Sequence, residues 1–531
     1  MRGAWRWRGL LAAAAVTAFL LGWWLTRAPA GADRRPAGTF GGAWVESLAV
    51  PPATLDPARA TSETDVRVAS LIYEGLVRLG PDGRIVPALA RRWRVADGGR
   101  RYVFWLRPGV RFHNGRSLTA ADVVYSLTRL LDPEEPAPRA WVLEGVAGAA
   151  AYRRGQARTV TGLRAVGTDR VEIVLDAPRP AFLQRLATPG AYVLDRETQE
   201  GGGRFAPVGT GPFRLVAWSA TEVRLAAFQD HYRGRPYLDE VRLLVEGPRT
   251  QVLAAFARGE RTGLRLLPHE AERLAAQWGW TGPQWRLELP ATAWIDVNAR
   301  RRPLDREPAR RALAYAIDRE TLVAGLLPGG YRLAEGLIPP GLPGARQAMR
   351  LPPYRVMAAR DALQQAGVRP GTRLTWLQPG DPFWAAVAGR LDYLLGRIGL
   401  ELRVETVGHG DFRARSGGPD PGYHLAPRTA WAEYPDPEAL FLPLLAGGPA
   451  AGPEAGRVLA GLVGAEGRRR AEAAARLDDL LLDRGRVLPL YHPVVVWAVQ
   501  PWVRGFRPSP YPQGADLWAV SVRPPVGSGR R

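Results

Sequence analysis

The sequence has no cysteine and no lysine; its 72 basic residues are all arginine. Without cysteine there is no disulfide, no thiol nucleophile, no thiolate-bound zinc and no Cys-linked lipid tether. Without lysine there is no P-loop lysine and no Schiff base, so any ATP-driven step must take its ATPase from another polypeptide. Histidine is scarce: six residues lie scattered at 113, 231, 269, 409, 424 and 492, with no H-E-x-x-H and no G-x-S-x-G. Acidic neighbours such as Glu134-Glu135 and Asp478-Asp479 read as solvated charges rather than an acid–base pair. These absences argue against an enzyme and give no sign of a cofactor or a directly coordinated metal.

The chain is long, 531 residues, which exceeds one core and suggests two to four domains. Its 46% hydrophobic and 23% charged content is ordinary for a globular protein. The net charge of +21 invites a nucleic-acid reading. The arginines are, however, spread along the chain and interleaved with acids, so no nucleic-acid partner is expected; a weak pull toward anionic membrane surface remains compatible.

Residues 1–35 read as a targeting segment. Arg2, Arg6 and Arg8 precede an apolar run at 10–25, closed by Trp23-Trp24 and followed by small-x-small sites at 28–32. The run is short for a membrane span, which takes about 20 residues, whereas the Trp pair suits an interfacial belt. A cleaved signal and a retained anchor through 10–25 both stay open; either places the rest outside the cytoplasm, with contact to the membrane surface through this segment.

Residues 89–133 carry the densest pattern. A strand-like run, Tyr102-Val103-Phe104-Trp105-Leu106, ends in Arg107-Pro108-Gly109, and a short strand at 110–112 meets a turn at His113-Asn114-Gly115. Thr119 as N-cap with Asp122 three residues on opens a helix, whose apolar face is Val123, Leu127, Leu130 and Leu131. Further patterned stretches are Thr54-Leu55-Asp56-Pro57, a helix over 66–79 carrying Tyr73-Glu74-Gly75-Leu76, and Pro207-Val-Gly-Thr-Gly-Pro-Phe213, in which Gly209 and Gly211 permit a tight turn. The strands after Phe213 lead to Pro236-Tyr-Leu-Asp-Glu-Val241. A helix over 308–327, cappable by Asp305, contains Arg310-Arg-Ala-Leu-Ala-Tyr-Ala-Ile-Asp-Arg319. A strand at 374–377, a helix at 385–398 and a strand at 400–404 form a β-α-β unit. Arg428-Thr-Ala-Trp-Ala-Glu-Tyr-Pro-Asp-Pro437 is a strand leading into an extended turn, and Val503-Arg-Gly-Phe506 comes near the end.

In this order, W-x-V-x-D-G-x-x-Y-x-F-x-L-R-x-G-V-x-F-H-N-G-x-x-L-T-A-x-D-V, G-T-G-P-F, A-I-D-R and W-A-E-Y-P-D-P resemble the dipeptide/oligopeptide-binding type of ABC-transporter extracellular solute-binding proteins, family 5. Departures include Arg233, where the family usually has Trp, and Gly259-Glu260-Arg261-Thr262, which lacks the closing Asp of G-E-x-D. The resemblance implies an α/β, periplasmic-binding-protein-like fold: two lobes with a hinge plus an inserted domain. Lobe I would combine 40–55, 166–255 and 490–525, the extra domain would be 56–165, and lobe II 256–489. It implies a peptide or other small solute as ligand, an ABC permease with separate ATPase subunits as partners, and lobe closure as the mechanism. By resemblance, Glu433 holds a ligand α-ammonium, Arg428 a carboxylate and Trp431 a side-chain pocket, with Ala430 and Tyr434 on the same rim. A membrane-anchored sensor on this fold, or a binder of oligosaccharides or other non-peptide solutes, remains the alternative.

Overall fold

The computed structural model describes residues 37–201, 205–327, 331–417, 422–445 and 453–523; the targeting segment 1–35 and a tail at 527–531 expected to be disordered lie outside them. Among the described residues no helix is long and apolar enough to cross a membrane.

Strand Ala43–Leu48 turns Trp44, Glu46 and Leu48 inward. It pairs in parallel with Glu240–Val245, which continues antiparallel to Glu222–Ala227 and Phe213–Trp218. Trp44, Phe213, Leu225 and Leu243 share a core with Val68 and Leu71 of helix Glu63–Ile72 and with Leu517 and Val520. One lobe is thus closed by both ends of the chain.

That helix starts on a Ser62–Asp65 capping box and stops at Ile72, not at 79. The backbone of 209–211 crosses its end, and Gly211 N–H donates to the Ile72 carbonyl at 2.9 Å. A Cβ at Gly209 would lie 2.2 Å from Ile72 O, and one at Gly211 2.6 Å from Ile72 C. These glycines therefore serve a close backbone approach rather than a tight turn. Past the crossing, Val77–Leu79 pairs with Ile85–Pro87.

Strands Ala90–Ala96, Arg101–Leu106, Arg170–Val174 and Leu163–Val166 form an antiparallel sheet in that spatial order. Helix Ala120–Arg129 packs on it through Val123 and Leu127, and Asp122 accepts from Thr119 N–H at 2.8 Å, as the capping pattern required. Because Arg170–Val174 is hydrogen-bonded inside this sheet, the inserted domain runs past residue 165.

The second lobe is a six-stranded mixed sheet, ordered Arg332–Leu333, Val487–His492, Ala291–Val297, Leu425–Trp431, Thr372–Pro379, Leu400–Val407. Thr372–Pro379, helix Pro382–Gly396 and Leu400–Val407 realise the β-α-β unit, with the two strands parallel. The helix expected at 308–327 breaks in two. Glu307–Ala316 ends at Ile317, and Asp318 caps Arg319–Leu326 by accepting from Thr321 N–H; Arg306, not Asp305, stands at the first N-cap. Asp478 is buried, accepting from Leu337 N–H and Arg346, so Asp478-Asp479 is not a solvated pair.

A separate three-stranded sheet joins Val494–Val499 to Gly263–Leu266 and Gln284–Glu288. It unites stretches that the sequence boundaries put in different lobes. The chain passes between this sheet and the six-stranded one at 289–290 and again at 493, and the two crossings are joined by Leu289 N–H to Pro493 O at 2.9 Å.

Candidate ligand cleft

A cavity of about 410 Å³ lies between the four-stranded and three-stranded sheets, next to the crossing at Leu289. Its floor is the end of strand Ala43–Leu48, through Glu46 to Ala49. Its walls include the N-terminal ends of helices Glu63–Ile72, Arg249–Ala257 and Pro268–Trp278, with the 509–514 loop and Trp497 completing the lining. A helix N-terminus has N–H groups without an intrahelical partner and carries partial positive charge. Here carboxylates answer them, since Glu63 and Glu270 sit in the first turns of two of the helices.

Every arginine lining the cavity is held by a carboxylate. Arg67 donates to Glu46 at 2.9 Å and to the carbonyls of Gln513 and Ala515. Arg249 forks onto Glu270 at 2.7 and 2.8 Å and reaches Glu246 at 2.6 Å. Arg265 grips Glu63. Burial works against the ionised form of Glu270, but Arg249 outweighs it and holds that carboxyl below its usual range. Burial also raises Glu246, with Arg249 opposing. The charges of the lining are paired and close to neutral, and apolar side chains such as Leu48, Leu289, Val495 and Trp497 make up much of the rest.

None of the five residues expected at the site lines this cavity. Trp431 is nearest: the Arg265 guanidinium lies 5.9 Å from its ring centroid, and Trp431 packs with Leu289 and Val495, both lining residues. Its buried Nε1–H has no acceptor among the described residues. Ala430 is half-buried on strand Leu425–Trp431. That strand pairs along its length with Ala291–Val297, but with Thr372–Pro379 only at Leu425. Arg428 is engaged internally, donating to Ser416 Oγ at 3.2 Å and to the Ser416 carbonyl, with Asp296 at 3.7 Å. Tyr434 is wholly buried, its hydroxyl 3.3 Å from Glu438, so it lies beneath the rim rather than on its surface. Glu433 is paired with Arg139 of the inserted domain.

Sequence reasoning passed over Arg139 and the paired charges at 46, 67, 249, 265 and 270. Glu46 carried a usable signal: it stands in phase with Trp44 and Leu48, a charge on the apolar side of a strand. Arg139 had none, lying in a stretch without periodicity.

The model of the family described as bacterial extracellular solute-binding proteins, family 5 middle, matches residues 84–452, and the chain belongs to that family. Its fold and relatives are those of the solute-binding proteins that serve ABC importers. Among relatives, the glutathione-binding protein GsiB of Salmonella typhi is 29% identical over 368 residues, 67% of this chain and 68% of that protein. The murein tripeptide binding protein MppA of Escherichia coli superposes with a TM-score of 0.79 at 21% identity, covering 92% of this chain and 99% of that one. Haemophilus influenzae OppA, solved with the peptide RPPGFSPFR, gives 0.78 at 19%, covering 92% and 100%. These relatives are binding proteins, and the likeness to the two structures establishes the two-lobed periplasmic-binding-protein fold.

Proposed function

We propose that this chain is an extracytoplasmic receptor that captures short peptides, or a closely related small solute, and presents them to an ABC permease with separate ATPase subunits. The cavity carries the reading. At about 410 Å³ it falls in the roughly 300–1,000 Å³ range of small-molecule sites and reaches the crossing between the lobes at Leu289. The edge of Leu425–Trp431 beyond Leu425 offers main-chain groups for an extended backbone to pair with. Trp431 adds an aromatic face and an unanswered N–H, which tolerate many side chains while fixing one acceptor. Ala430 and Trp431 are the ligand-facing members of the rim; Arg428 and Tyr434 hold the strand in place. The paired crossings at 289–290 and 493 are narrow enough to act as the hinge, and closure of the lobes generates the state that the permease recognises.

Native mass spectrometry of the purified protein tests this. Retained masses matching short peptides, released on denaturation, are expected; retained sugars would overturn the peptide reading.

A further inference from the structure

Glu433 is the one rim carboxylate to which the resemblance assigned a ligand amine, and it already has a cation. Arg139 places both terminal nitrogens on its two oxygens, at 2.5 and 3.2 Å. The pair runs between protein segments 294 residues apart, from the inserted domain to the second lobe. Arg139 is only 2% exposed, and its Nε donates to the Ala60 carbonyl, so the guanidinium is anchored at both ends. Gly190 makes room for it: a Cβ there would lie 2.9 Å from Arg139 Cβ. Gln513 donates to the Glu433 carbonyl at 3.4 Å and offers no charge.

We propose that Arg139 is the resident counter-ion of Glu433 and sets specificity, so that the cleft takes amine-blocked short peptides, those whose α-nitrogen is acylated. The inference rests on the peptide reading above. An ammonium arriving at Glu433 would join a pair that is already neutral and leave a net positive site. Taking Glu433 away from Arg139 would strand a buried guanidinium, which is strongly unfavourable. An acylated nitrogen brings no charge and meets neither penalty. The bidentate fork also uses the carboxylate geometry that a ligand ammonium would need.

The test offers the full-length protein an equimolar mixture of tripeptides and their N-acetylated counterparts, and reads the retained set by native mass spectrometry. Wild type should enrich acetylated over free peptides by about tenfold or more, given the size of an uncompensated charge at this distance. Arg139→Gln should shift the ratio toward free amines, and Arg139→Gln/Glu433→Gln should abolish that shift. Enrichment of free-amine peptides by wild type, with a ratio indifferent to Arg139→Gln, would overturn the proposal. If wild type and Arg139→Gln both retain neither set, the peptide reading fails and the substrate class falls with it. The counter-ion itself is read separately from melting temperatures. Single Arg139→Gln and Glu433→Gln variants should each melt lower, with the double variant no lower than the worse single; additive losses would refute the pairing.

Discussion

Arg185 and Glu438 face each other at the boundary between the inserted domain and the second lobe, both essentially without solvent exposure, with Arg185 Nε 2.7 Å from Glu438 Oε1. Glu438 also receives Arg470 at 3.0 Å, and Arg470 forks onto Asp436. Trp141 stacks on Tyr434 alongside, with ring centroids 6.0 Å apart. Together with Arg139–Glu433, these contacts tie the inserted domain to the second lobe.

Breaking that tie from one side should be expensive. Arg185→Met leaves Glu438 buried with one cation fewer, and urea unfolding should show a loss of about 3–5 kcal/mol. Arg185→Gln/Glu438→Gln should lose less than the sum of its singles, because the same interaction is removed twice. Additive losses would mean that the pair is not coupled.

Two histidines should make the protein acid-sensitive. Burial lowers His113 to about 4, with its Nε2 set against the Gly211 carbonyl at 2.9 Å. Burial also lowers His492 to about 4, with Nδ1 3.0 Å from Thr292 Oγ1. Each is neutral when folded and takes up a proton on unfolding between about pH 6.5 and about 4. Stability from this source is full above the unfolded value and is lost as pH falls through that window, at about 1.4 kcal/mol per pH unit for each histidine. Denaturation at a series of pH values should show this slope, and His492→Gln should remove one histidine's share.

Glycines 209 and 211 should resist any side chain. Alanine at either position would press on the Ile72 backbone, and each substitution should cost about 1–3 kcal/mol as overpacking, read from denaturant midpoints. Neither glycine has a positive φ, so Asn, which tolerates left-handed backbone, should be no better than Ala.

Trp431 should report on the cleft. Trp431→Ala should weaken capture of the retained ligand by about tenfold, measured calorimetrically, since stacking and an N–H are lost together. Arg428→Ala should instead lower the melting temperature, because its partners Ser416 and Asp296 are internal.

The strand at 101–106, the capped helix after Thr119 and the β-α-β unit at 372–407 were legible because periodicity and caps act locally. The break at Ile317 and the early stop at Ile72 were not. The first lies within an apolar pattern that suits one helix, and the second is imposed by the distant segment at 209–211, whose glycines leave no local trace of what they approach. The rim motif at 428–437 was found correctly as a strand and turn. Which of its side chains face outward was beyond reach, because Tyr434 and Arg428 are claimed by Glu438, Ser416 and Tyr423, partners that only the tertiary fold supplies. The same holds for Arg139, whose partner lies in another domain.

Small-angle X-ray scattering with and without the peptide that the protein retains reads lobe closure itself. Capture between two lobes hinged at 289–290 and 493 predicts a smaller radius of gyration when the peptide is present, and a weaker contraction in Trp431→Ala at the same concentration. An unchanged radius with the peptide demonstrably bound would contradict closure around the ligand.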